Sequence, residues 1–91
     1  MKIKPYNASF VGTHRTGTLN GVTKKMITTI LGFKPNMEND GEKVTACWQF
    51  FADGVLCAIL DYKESFKVYE ASCYGPAAAF EKIFGPLYER Y

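Results

Sequence analysis

Ninety-one residues, 47% hydrophobic and 22% charged with a formal net charge of +2, describe a single folded domain spanning 1–91. That balance excludes a disordered tail, a collagen-like repeat and a strongly basic nucleic-acid arm. Aromatic residues reach 15% (seven Phe, six Tyr and one Trp), a heavy load of rings for so short a chain.

The start, Met1 to Tyr6, carries lysines with no apolar run behind them, a pattern unlike a secretory leader. Ala8–Gly12 reads as a short first strand, and the polar, Gly-flanked stretch Thr13–Thr18 as a loop. A helix is expected from near Asn20, a capping residue type, with Val22, Met26, Ile27, Ile30 and Leu31 on one face. Gly32 should end it in a left-handed conformation, and Pro35 blocks its resumption. Lys34 to Glu42 is polar and reads as a loop.

Two β-rich runs follow, Val44–Phe51 and Val55–Tyr62, joined through Ala52-Asp53-Gly54. Asp-Gly between such runs signals a hairpin, because Gly supplies the positive φ that a primed turn requires. A third strand is expected over Phe66–Ala71. Pro76 opens a helix over Ala77–Phe84, Gly85 lies just past its end, and the tail Leu87–Tyr91 closes the chain. The order β-α-β-β-β-α predicts an α+β domain: an antiparallel sheet of three to four strands with two helices on one face.

The hairpin is apolar on both faces. With Ala52 opposite Val55, Trp48, Phe50, Cys57, Ile59 and Asp61 share one side. Cys47, Gln49, Phe51, Leu56, Ala58, Leu60 and Tyr62 share the other. Two short helices cover one face only. The second is left for Tyr88 and Tyr91 folding back, for a second copy of the chain, or for a ligand.

Three cysteines, Cys47, Cys57 and Cys73, without CxxC spacing argue against a disulfide framework or a zinc cluster and fit thiols in a reducing cytoplasm. His14 is the lone histidine, and no nucleophile-elbow spacing surrounds any Ser or Cys, so no catalytic residues are assigned and no enzyme is expected. Gly12 to Gly17 lacks the Lys-Ser/Thr of a phosphate loop and the spacing of a dinucleotide fingerprint. It is either a solvent loop or an anion-contacting one in which His14 and Arg15 meet a phosphate. Asp61, with Tyr62 and Lys63 beside it, is a charge on an apolar face, either paired at the sheet edge or bonded to a ligand. Trp48, Tyr62 and Tyr74 are rings that can stack on a base, although a Trp in a central strand also suits a core. An RNA-recognition fold is not expected: its β-α-β-β-α-β order and aromatic strand motif are both missing. No metal or cofactor is implied.

The strand Lys43-Val44-Thr45-Ala46-Cys47-Trp48, the Asp53-Gly54 turn and the strand Ile59-Leu60-Asp61-Tyr62-Lys63 together resemble a group of small phage-encoded proteins. Their pattern is a Lys-Val-x-x-x-Trp strand, an Asp-Gly turn and an Ile-x-Asp-Tyr-Lys strand. Leu19-x-Gly21, Leu31 to Asn36, Tyr74-Gly75-Pro76 and Ile83-Phe84-Gly85 fit the same pattern, so the resemblance runs from about residue 8 to 85. Leu60 stands where such proteins often carry Trp. The resemblance implies a non-enzymatic accessory protein that counters host defence by binding, in the host cytoplasm. The expected mode is a homo-oligomer sequestering a small nucleotide-like anion at a subunit seam, through His14, Arg15, Trp48, Asp61, Tyr62, Lys63 and Tyr74. The alternative is a protein–protein inhibitor of a host enzyme. No membrane partner is expected, and nucleic acid ranks below both readings.

Overall fold

The computed structural model describes residues 2–6, 15–35, 44–62 and 69–90, with backbone alone at 44–46 and 61–62. Along the chain these form β1 (Ile3–Pro5), β2 (Arg15–Asn20), α1 (Lys24–Leu31), β3 (Val44–Ala52), β4 (Val55–Tyr62), β5 (Glu70–Tyr74), α2 (Ala77–Phe84), a 3-10 turn (Gly85–Leu87) and β6 (Tyr88–Arg90). All pairings are antiparallel, and the sheet order is β1-β3-β4-β5-β2-β6. The α+β class stands, but the sheet has six strands where three to four were expected. The extra edge strands β1 and β6 have three residues each, too few to show an alternating pattern.

The hairpin forms in the expected register. Ala52 faces Val55, and Asp53 (φ 50°) and Gly54 (φ 82°) both adopt the positive φ of a primed turn. Of the stretch read as a loop, Thr13–Thr18, Thr13 and His14 lie outside the described residues, and residues 15–18 instead open β2, wedged between β5 and β6. Its polar side chains find partners inside the sheet: Thr16 Oγ1 donates to the Gly75 carbonyl at 2.7 Å and lies 2.9 Å from the Tyr88 hydroxyl. Gly17 is required there, because a Cβ would sit 2.6 Å from the Tyr88 ring and would collide with the Glu89 carbonyl. The strand expected at Ala8–Gly12 lies outside the described residues.

Asn20 ends β2 and does not cap the helix. Thr23 does, its Oγ1 accepting from the Met26 N–H at 3.2 Å, and Gly32 closes the helix in the left-handed region at φ 88°. Thr23→Ala is therefore expected to cost about 1 kcal/mol in a urea-unfolding experiment. The third strand is displaced towards the C-terminus, Glu70–Tyr74 against the expected Phe66–Ala71, whose residues 66–68 lie outside the described set. α2 has the expected bounds.

Both helices pack on one face of the sheet. Ile27 and Leu31 of α1 and Ala79, Phe80 and Phe84 of α2 join Leu19, Trp48, Phe50, Cys57, Ile59, Ala71 and Cys73 in one core. Tyr88 belongs to this core too, stacked on Phe80 at 5.4 Å, so it does not fold over the second face. Tyr91 lies outside the described residues. On the second face Cys47, Gln49, Ala58, Leu60 and Ser72 are nevertheless buried within the single chain. Burial of those apolar groups therefore does not by itself require a second copy.

Candidate functional site

Strand pairing joins two of the expected ligand residues. Arg15 opens β2 and Tyr74 closes β5, and the two are direct cross-strand partners, a placement that sets Cβ atoms about 5 Å apart. A register shift between Arg15 and Gly17 marks a bulge at this point, a device that re-aims side chains at sheet ends. Leu19 points into the helix-side core, so alternation places Thr18 on the second face, where it pairs with Ser72. Arg15 Nη2 donates to Thr18 Oγ1 at 2.8 Å, which lays the guanidinium along that same face. Arg15 and Tyr74 are both half-buried, and Tyr74 packs against Cys47, Ala58 and Leu60. A partly desolvated guanidinium beside a phenol ring can bind a phosphate through its planar fork and offer a surface to a flat ring.

Trp48 does not join this pair. Trp48 faces the helices and is fully buried beside Phe50 and Ile59, so it has no ring surface to offer a ligand: it is core. Asp61 pairs with Ala46 and Tyr62 with Val44 at the far end of β4. Tyr74 faces Ala58. Asp61 is three residues further along that strand, roughly 10 Å away by strand rise. The side chains of Asp61 and Tyr62, and all of His14 and Lys63, lie outside the described residues.

The thiols are poorly placed for nucleophilic work. Burial pushes Cys47 and Cys57 up to about 11 and Cys73 higher still, which keeps all three protonated at neutral pH. Among the described residues no three His, Cys, Asp or Glu side chains gather as a metal site, and no helix is long and apolar enough to cross a membrane.

Two features escaped the sequence reading. Tyr69 is 60% exposed and holds a left-handed backbone at φ 59°, while its carbonyl accepts from the Val22 N–H at 3.0 Å. At the opposite edge of the sheet, Lys2, Lys4, Phe51 and Gly54 line a cavity of about 360 Å³. The alternation Lys2-Ile3-Lys4-Pro5-Tyr6 was its signal, hidden because three residues of strand are too short to be recognised alone. Comparison with known protein families, with characterised proteins and with solved structures finds no match to this chain.

Proposed function

We propose that the chain is a non-enzymatic accessory protein of phage origin that acts by capturing a small, nucleotide-like anion. Capture takes place at a seam between copies in the host cytoplasm and withdraws the anion from a host defence. The observation that carries this reading is the cross-strand pair of Arg15 and Tyr74. It supplies a guanidinium for phosphate and a ring for a base from neighbouring strands, with Thr18 holding the guanidinium in place. The phage origin and the defence context rest on the hairpin resemblance. The pair itself supports only the ligand chemistry.

Native mass spectrometry of the protein purified from cells tests this directly. The expected spectrum shows more than one copy with a retained nucleotide-sized anion. Arg15→Ala is expected to weaken capture by about 10- to 100-fold, the loss of one or two charge-assisted hydrogen bonds. Arg15→Lys should recover only part of it, since an ammonium cannot reproduce the fork. An unliganded monomer, or capture unchanged by Arg15→Ala, sinks the proposal.

A second reading has its own observation. Met26 and Ile30 of α1 are 37% and 39% exposed and line a cavity of about 280 Å³ with Thr23, Lys25 and Thr29. Apolar side chains at i and i+4 on an exposed helix suit a protein partner, as an inhibitor of a host enzyme would require.

A further inference from the structure

The edge formed by β1 and β3 gathers charge and rings at a second place on the sheet. β1 runs antiparallel to β3, with Ile3 opposite Ala52 and Lys4 opposite Phe51. Ile3 packs against the helix-side core, so alternation turns Lys2, Lys4 and Tyr6 onto the second face. Lys2 and Lys4 are exposed, and their Cα atoms stand about 7 Å apart by strand rise. Phe51, directly opposite Lys4, is half-buried, and the Tyr6 ring leans on it at 4.6 Å and 59°. Gly54 has no side chain to close the mouth of the cavity.

The hairpin turn is tied down beside this groove. The Lys2 N–H donates to Asp53 Oδ1 at 2.8 Å, and the Asp53 N–H donates to the Lys2 carbonyl at 2.9 Å. The one carboxylate at the turn is therefore engaged by backbone, and Asp53 does not line the cavity. Among the described residues the lining is thus two cations, an aromatic floor and a glycine, in a volume at the lower end of the range for small-molecule pockets.

The geometry points to a ligand site here for an aromatic phosphate monoester. Its ring lies on Phe51 and its dianionic phosphate sits between the Lys2 and Lys4 ammonium groups. Two cations at this spacing match a double negative charge, and an apolar floor selects a flat body over a bare inorganic ion. The site is distinct from the Arg15–Tyr74 pair: even their nearest strands, β3 with Phe51 and β5 with Tyr74, are two strand spacings apart in the sheet order, about 10 Å. It does not depend on capture at Arg15.

An amide-detected NMR titration with adenosine monophosphate tests the assignment, with adenosine and inorganic phosphate as partial probes. The nucleotide is expected to shift the amides of Lys2, Lys4, Phe51 and Gly54 while leaving Arg15, Thr18 and Tyr74 in place. Adenosine and phosphate alone should each bind at least about tenfold more weakly, the first lacking the dianion held by the two lysines and the second lacking the ring that stacks on Phe51. Lys2→Ala with Lys4→Ala should weaken binding by about tenfold or more, whereas the charge-matched Lys25→Ala with Lys34→Ala should change it less than about twofold. Phe51→Leu, which keeps the floor apolar, should lower affinity for the nucleotide and leave phosphate unaffected. Several results would each overturn the site: no shifts at millimolar nucleotide, shifts centred elsewhere, phosphate matching the nucleotide, or equal loss in both lysine pairs. Shifts at Arg15 and Tyr74 alone would overturn this site and leave the proposed function standing.

Discussion

Gly75→Ala is expected to destabilise the protein by about 2–5 kcal/mol, which lowers the thermal midpoint by roughly 10–30 °C for a chain of this size. Two separate costs add at this position. Gly75 holds φ 118°, where an L side chain is strained whatever the surrounding space. A Cβ there would also lie 2.7 Å from the Leu56 carbonyl and 3.1 Å from the Cys57 Cα. Both are backbone atoms of the interior strand β4, so neither can step aside as a flexible side chain would. Gly75 also accepts the Thr16 hydroxyl and directly follows Tyr74, so its displacement would loosen β2 and the candidate ligand ring together. Gly32→Ala is the matched control. Gly32 has a similarly positive φ of 88°, yet nothing lies within 4 Å of the added carbon, so about 1 kcal/mol is expected. The difference between the two variants in urea unfolding isolates the steric cost. Equal losses would mean that contact with β4 contributes nothing.

The same glycine shows why some of the fold was legible and some was not. The hairpin and α2 could be read because their signals are local: Asp53-Gly54 for the turn, Pro76 and Gly85 as punctuation around one helix. β2 was read as a loop because what makes it a strand lies far away in sequence. Thr16 is satisfied by Gly75 and Tyr88, 59 and 72 residues downstream, and Gly17 exists to admit a ring from the last strand. A polar Gly-containing segment with no local partner looks like a loop whichever it is. The candidate site divides in the same way. Arg15 and Tyr74 could each be chosen by residue type, but their adjacency depends on β2 pairing with β5, a long-range event. Trp48 fails as a ligand residue because the helices cover its side of the hairpin. The hairpin, apolar on both sides, gave no sign of which face the helices would choose.

Phe80→Ala is expected to cost about 3–5 kcal/mol. Its ring is fully buried and, among the described residues, meets three others: Phe50 edge-on at 6.3 Å and 83°, Tyr88 stacked at 5.4 Å, and Phe84 stacked at 6.5 Å. Removing it leaves a void and also deprives Tyr88 of the surface that holds its ring over Gly17. The Tyr88 hydroxyl, beside Thr16, would then lose its placement, which leaves the three-residue β6 with its short ladder to β2 and the exposed Asn20–Glu89 hydrogen bond. Its Arg90–Glu81 ion pair is exposed and contributes little. Hydrogen exchange should therefore show the amides of β6 and β2 opening well before those of the β3–β4 hairpin in Phe80→Ala. Phe33→Ala is the comparison: that ring is only half-buried and meets Phe50 from outside at 6.2 Å, so roughly 1–2 kcal/mol and no selective opening of β6 are expected. Uniform exchange across the sheet in Phe80→Ala would show that the ring fills space without anchoring the C-terminal strand. Selective opening would mean that part of the aromatic surplus is used to fasten a strand too short to pair stably alone.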